Sequence, residues 1–256
     1  MKQFLFKLSV VTFCLFPLAL TNTFAQAEMN PKEIVQKAND QLRGQSSTAT
    51  MSMEIIRPDW SRTVTMKTWA SGEQYSLMLI TAPARDKGMS ILKRDKEIWN
   101  WQPTIEKVIK LPPSMMMQRL MGSDFTNDDL VRQSSIVEDY DHQLLGMEEI
   151  EARNCYIIEF TPKPEAPVVW GKLKMWIDKE NYLQMKSEFY DEDDYLVNSM
   201  FGKDVHEMGG RILTTKLELV PADEEGNKTV ITYEDIEFDV DLQEKFFTVQ
   251  NMKRVR

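Results

Sequence analysis

The sequence is poor in the residues that most catalytic and metal centres require. It holds two histidines, His142 and His206, and two cysteines, Cys14 and Cys155. No HExxH and no paired-cysteine spacing occurs, so no metal site of ordinary ligand spacing is expected. There is no glycine-rich phosphate loop and no G-x-S-x-G, and no cofactor is expected. Beyond the first twenty residues, no stretch approaches the roughly 18 uninterrupted apolar residues of a membrane-spanning helix. Positive charge is also short: 31 Lys and Arg stand against 40 Asp and Glu, a net charge of −9. That balance excludes a nucleic-acid partner and a general electrostatic hold on anionic membranes. The basic tail Lys253–Arg256 reads as a solvated end. Low-complexity tracts and repeats with a period of about 20–50 residues are absent too.

The chain opens with a signature of export. Lys2 and Lys7 form a basic region, residues 8–20 an apolar run, and Ala25-Gln26-Ala27 a small-x-small cleavage site. Residues 1–27 are therefore expected to be a cleaved signal peptide, and residues 28–256 a single soluble domain in the periplasm. Cys14 follows Phe13 inside the apolar run rather than a small residue, which argues against lipid attachment. Cleavage leaves Cys155 alone, so no internal disulfide is expected. Cys155 sits in NCYIIEF, which reads as a buried strand.

Periodicity then sets the fold class. Asn30 and Pro31 open a helix whose stripe is Ile34, Val35, Ala38 and Leu42, and Gly44 ends it. From Met51 the period shifts to two. Short alternating strands follow, separated by turns such as Arg57-Pro58-Asp59 and Ser71-Gly72-Glu73. Pro112 and Pro113 interrupt them. Ser114 is expected to cap a short helix with Met116, Met117, Leu120 and Met121 on one face, stopped by Gly122. Thr126 and Asp129 form a weak capping box for a second helix. Strands resume, with turns at Asp178–Asn181, Asp191–Asp194 and Asp223–Asn227, and LQEKFFTVQ docks last. The sum is a mainly β, antiparallel protein of about eleven strands with a few helices.

Few residues present themselves for catalysis. Ser123 and Asp124 could serve as nucleophile and acid if folding brought His142 or His206 near, but adjacent Ser and Asp at a helix–loop junction more often bind backbone N–H groups. Asp191-Glu192-Asp193-Asp194 resembles a calcium loop but lacks its glycine and distal glutamate, and reads as a polar hairpin tip. A binding protein is expected, not an enzyme.

What stands out is methionine, 17 residues in all. Alternation assigns an inward apolar set: Met51, Met53, Ile55, Val64, Met66, Leu77, Leu79, Trp99, Trp101, Leu173, Met175, Ile177, Leu183 and Met185, with Met116, Met117, Leu120 and Met121 from the insert. Unbranched, polarisable methionine adapts to varied partners and also fills ordinary cores, so from pattern alone this set is either a ligand cavity or a plain core.

The segment MGSDFTNDDL (Met121–Leu130), preceded by IKLPPSMM, resembles the signature of the outer-membrane lipoprotein-sorting (LolA-like) proteins of Gram-negative bacteria. Gly122, Ser123, Asp124, Phe125, Thr126, Asp129 and Leu130 carry it. The order of elements is similar over residues 28–256, and Asn127 stands where one branch often has tyrosine. The resemblance implies an incomplete, half-closed antiparallel β-barrel curled around covering helices, with no metal and no catalytic residues. It implies a periplasmic carrier, expected as a monomer, of lipid or lipoprotein acyl chains, partnered by an inner-membrane transporter or an outer-membrane receptor. The alternative it leaves is an envelope-stress sensor using the same half-barrel.

Overall fold

The computed structural model describes residues 30–131, 135–164, 166 and 168–255. The expected signal peptide lies outside them. Helix α1 (Pro31–Arg43) forms as its sequence suggests. The Asn30 side chain accepts from the Lys32 N–H at 3.0 Å, Pro31 occupies the first turn, and Gly44 ends the helix at φ 63°.

Thirteen strands follow: β1 (Ser46–Arg57), β2 (Trp60–Ser71), β3 (Tyr75–Ala82), β4 (Ser90–Arg94), β5 (Glu97–Gln102), β6 (Lys107–Leu111), β7 (Tyr140–Ile150), β8 (Arg153–Pro162), β9 (Lys172–Asp178), β10 (Gln184–Tyr190), β11 (Leu196–Met208), β12 (Arg211–Pro221) and β13 (Lys228–Phe238). Two further short α-helices lie among the described residues, α2 (Asn127–Val131) and α3 (Val249–Met252). Among the described residues the strands exceed the expected count of about eleven by two, and β4, β5 and β6 are the short strands that the sequence pattern marks between turns.

All thirteen make one open antiparallel sheet in the order β6-β5-β4-β3-β2-β1-β13-β12-β11-β10-β9-β8-β7. Each half is a meander, and the halves join where β1 pairs with β13, Met53 opposite Ile231. The registers divide the turns between two rims. The β1–β2, β3–β4, β5–β6, β10–β11 and β12–β13 turns share the upper rim, and the β2–β3, β4–β5, β7–β8, β9–β10 and β11–β12 turns share the lower.

The main core lies between the inner face of the sheet and the elements that cover it. Ile34 and Val35 of α1, Met116, Leu120 and Phe125 of the insert, and Met53, Ile55, Val64, Met66, Ile158 and Phe160 of the sheet are all buried there. The outer face carries two further clusters. One unites Leu77, Leu92, Trp69, Trp99 and Trp101 with Phe246, Phe247 and Met252 of the C-terminal segment, and Ser90 donates to the Met252 carbonyl at 2.7 Å. The other gathers Cys155, Trp176, Leu183 and Met185. No helix among the described residues is long and apolar enough to cross a membrane.

The insert departs from the expected helix. Pro113–Met115 and Leu120–Gly122 are isolated 3-10 turns, and Met121 within the second takes φ 53°, ψ 24°, outside the helical region. Met116 and Leu120 point into the core, whereas Met117 is 66% exposed, so the four residues do not share a face. Tertiary bonds impose this path. The Leu120 N–H donates to the Phe125 carbonyl, the Asn127 N–H to the Gln118 carbonyl, and the Asn127 side chain to the Met115 carbonyl, each at 2.9 Å.

Candidate functional site

A cavity of about 240 Å³ lies between the inner face of the sheet and the covering elements. On this measure about 10–15 Å³ suffices for one water, so the space suits a chain-like ligand rather than a single solvent molecule. Its walls draw on α1 (Leu42), β1 (Ala49, Met51), β3 (Met78), β4 (Ile91), β9 (Leu173, Met175), β10 (Phe189), β11 (Met200) and β13 (Ile231), with Phe125 and Trp170. It reaches the lower rim at Arg43, Glu73 and the exposed Gly72, where the Asn39 amide donates to Glu73 Oε1 at 3.2 Å. A second space of about 30 Å³ adjoins α1, bordered by Ile177 and Leu183.

One wall is polar. Asp128 and Asp129 of α2 border the cavity with Tyr140 and Trp170. Asp129 closes the expected capping box: its Oδ2 accepts from the Thr126 N–H at 2.8 Å, and its own N–H donates to Thr126 Oγ1 at 3.1 Å. Its Oδ1 accepts from the Trp170 indole N–H at 3.1 Å. Burial nonetheless raises the Asp129 carboxyl above the usual range, against the lowering pull of those donors. Burial, with Asp128 and Asp129 nearby, also raises the Tyr140 phenol.

The distinctive segment, whose Phe125 borders the cavity, is tied to the upper rim by a buried ion pair. Arg57 at the end of β1 donates from Nη1 to Asp124 Oδ2 and from Nη2 to Asp124 Oδ1, both at 3.0 Å. The same guanidinium reaches the Gly122 carbonyl at 2.8 Å, and Arg62 donates to the Met121 carbonyl. Thr229 Oγ1 of β13 donates to Asp124 Oδ2 at 2.7 Å and accepts from the Asp124 N–H at 3.0 Å. Gly122 takes φ 76°, which favours glycine there.

These contacts leave the sequence's catalytic alternative without its parts assembled. Ser123 is fully buried and donates to the Phe125 carbonyl at 3.2 Å. His142 Nε2 lies 2.7 Å from the Ile136 carbonyl, so that nitrogen carries the proton, and the ring stacks edge-on against Phe160. His206 bonds at Asp204 and Thr215. In the acidic β10–β11 turn, Asp191 Oδ1 accepts from the Asp193 and Tyr195 N–H groups, which makes it a turn-builder. Among the described residues, no group of three His, Cys, Asp or Glu is placed to hold a metal. Cys155 is buried, and burial raises its thiol to about 11, away from thiolate chemistry.

The expected inward set divides. Met51, Leu173 and Met175 border the large cavity, and Ile177 and Leu183 the small one. Met53, Ile55, Val64 and Met66 are in the core beside it, with Met116, Leu120 and the half-buried Met121. Leu77, Trp99 and Trp101 pack on the outer face, although Leu77 also borders the cavity, and Leu79 shares their side of the sheet. Met185 is on the outer face with Trp176. Two register shifts account for this. One between Thr65 and Met66 brings Ile80 opposite Met66, so Met78 and Ile80 face inward. One between Gln184 and Lys186 turns Met185 outward. Trp170, Tyr140 and Lys93 also border the cavity and were not in the expected set. Lys93 follows Ile91 by two positions, so the strand's alternation alone puts it inside.

Solved structures with this architecture define a class. A DUF1329 family protein from Desulfovibrio piger superposes with a TM-score of 0.79 at 25% identity, covering 87% of this chain and 97% of that one. A LolA superfamily protein from Nitrosomonas europaea gives 0.75 at 26% identity, covering 86% and 98%. A domain from Vibrio parahaemolyticus, described as an outer membrane lipoprotein-sorting protein, gives 0.78 at 22% identity, covering 88% and 98%. The protein thus has the open-sheet, LolA-like fold. No curated protein matches the sequence. Residues 72–254 match the model of a family described as "Uncharacterized protein", and the chain belongs to that family.

Proposed function

We propose that this protein is a periplasmic carrier that holds a lipid, or the acyl chains of a lipoprotein, between the sheet and its covering helices. In this reading the mature domain begins at residue 28 and does no covalent chemistry. It passes cargo between envelope components, served by an inner-membrane transporter or an outer-membrane receptor. The observation that carries it is the mainly apolar cavity of about 240 Å³ in a LolA-like fold. Each methylene buried there would contribute about 0.8 kcal/mol, enough for firm binding of a long chain without a charged contact. Methionine at Met51, Met78, Met175 and Met200 supplies walls that repack around different chains.

The test is native mass spectrometry of detergent-free protein isolated from cells, with organic extraction of what is bound. A discrete co-purifying acyl species is the expected result and would name the cargo class. Protein that arrives empty and takes up no added lipid would overturn the carrier reading.

A further inference from the structure

Single exposed apolar side chains are ordinary on a protein surface, but their grouping is not. Seven large hydrophobic side chains are exposed among the described residues, and four of them, Trp60, Ile105, Met117 and Tyr195, lie toward the upper rim on four different segments. Three belong to neighbouring segments that touch one another. Trp60 follows the β1–β2 turn, with the Arg57 guanidinium 5.9 Å from its ring centre. Arg57 holds the Gly122 carbonyl of the insert that carries Met117. Arg62 bonds the Met121 carbonyl and faces Asp86 of the β3–β4 loop at 3.9 Å. Gly88 of that loop lies against Pro103 of the β5–β6 turn, which bears Ile105. The segments that carry Trp60, Met117 and Ile105 are therefore linked to one another.

Charge divides the same rim. Around these three tips the exposed cations are Arg85, Lys87 and Lys107, against the exposed acids Asp59 and Glu106, while the exposed Arg119 is paired with Glu224 of the β12–β13 turn. The β10–β11 and β12–β13 turns are the reverse, with Glu192, Asp193, Asp194, Asp223 and Glu225 exposed. Tyr195 belongs to that acidic part. In a chain of net charge −9, cations are thus gathered where apolar tips protrude.

We propose that the upper rim around Trp60, Ile105 and Met117 docks on the surface of an anionic phospholipid bilayer. Three separate tips, rather than one apolar groove, suit insertion among lipid headgroups, and tryptophan favours that interface. The neighbouring cations add attraction to anionic lipid. The acidic part of the rim is repelled, so the molecule tilts onto its β1–β6 side. The overall negative charge opposes a general electrostatic hold and leaves only this local one. Met117 adjoins Met116, which is buried in the core, so docking bears directly on the insert whose Phe125 borders the cavity. The proposal does not depend on what the cavity holds.

Co-sedimentation with vesicles tests it, using the protein in the form isolated from cells. Vesicles of phosphatidylethanolamine with phosphatidylglycerol are compared with vesicles of phosphatidylcholine alone. The wild type is expected to bind the anionic vesicles, less so as salt rises. The triple variant Trp60→Ser, Ile105→Ser, Met117→Ser is expected to partition about tenfold less. Arg85→Glu with Lys87→Glu should weaken binding, and Tyr195→Ser should leave it unchanged. No binding by the wild type would overturn the proposal. So would equal binding by the triple variant, equal binding to phosphatidylcholine, or an equal loss with Tyr195→Ser. Uptake of a fluorescent fatty acid by the triple variant, expected to stay at the wild-type level, reports on the cavity separately.

Discussion

Arg57 grips both carboxylate oxygens of Asp124 at 3.0 Å, 67 residues away in sequence, with Asp124 sealed from solvent and the Arg57 side chain 11% exposed. The pair joins the end of β1 to the insert, and Thr229 of β13 and, at 3.8 Å, Arg119 also face Asp124. A buried pair of this kind contributes little net stability over an apolar substitute, but breaking it leaves a charge stranded.

The first prediction follows from that asymmetry. Asp124→Asn and Arg57→Ala should each lower stability by about 3–5 kcal/mol, because each strands a buried partner. The double variant should cost much less than the sum. A double-mutant cycle by urea unfolding measures this, and additive effects would mean that the two side chains act independently.

The same pair explains what could and could not be read from the sequence. The strands were legible because alternation survives wherever one face is buried and the other is wet, as in Met51, Met53 and Ile55. It failed in Leu77–Ile80, where the C-terminal segment buries the outer face too and all four residues are apolar. It failed again at Met185, where a register shift inverts the faces. The insert could not be read locally. Its methionines have helical spacing, but carbonyls at Met121 and Gly122 are held by arginines from β1 and β2, and Met121 leaves the helical region. The Thr126–Asp129 capping box, which needs only four consecutive residues, was legible and is present.

The second prediction concerns pH. Burial raises the Asp129 carboxyl in the folded state, so the native protein binds that proton more tightly than the unfolded chain. The resulting stability is present below the unfolded carboxylate pKa and is lost as pH rises through the raised folded value. Asp129→Asn keeps an acceptor for the Trp170 N–H and does not ionise. Its stability relative to the wild type should therefore improve as pH rises through that window. Thermal unfolding of both proteins from pH 4 to 8 measures the difference, and a constant offset would show that Asp129 titrates normally.

A third prediction separates the two faces of the sheet. Ala70 faces inward near the lower mouth of the cavity, next to the outward Trp69. Ala70→Trp should narrow the mouth and weaken fluorescent fatty acid binding at least about tenfold, with little loss of stability because the site is only half-buried. Trp99→Ala, on the outer face, should lower stability and leave binding unchanged. Weaker binding in the second variant and not the first would place the ligand on the other side of the sheet.

The last prediction concerns the C-terminal segment, which seals the outer face of β3, β4 and β5. Phe247 is fully buried and stacks on Tyr75 with ring centres 5.6 Å apart, and Phe246 packs edge-on to it at 5.3 Å. Removing the ring leaves a cavity between a short helix and a sheet that cannot close over it without shifting β3. Phe247→Ala should therefore cost about 3–5 kcal/mol, at the level of other buried aromatic truncations. Leu77 and Tyr75 of this cluster also border the cavity, but most of its walls belong to the inner cluster, so the surviving folded protein should bind a fluorescent fatty acid within a few-fold of wild-type affinity. Titration below the unfolding midpoint would show it. Affinity that falls along with stability would mean that the outer cluster sets the spacing of the inner strands, and that the two faces of β3 work as one unit.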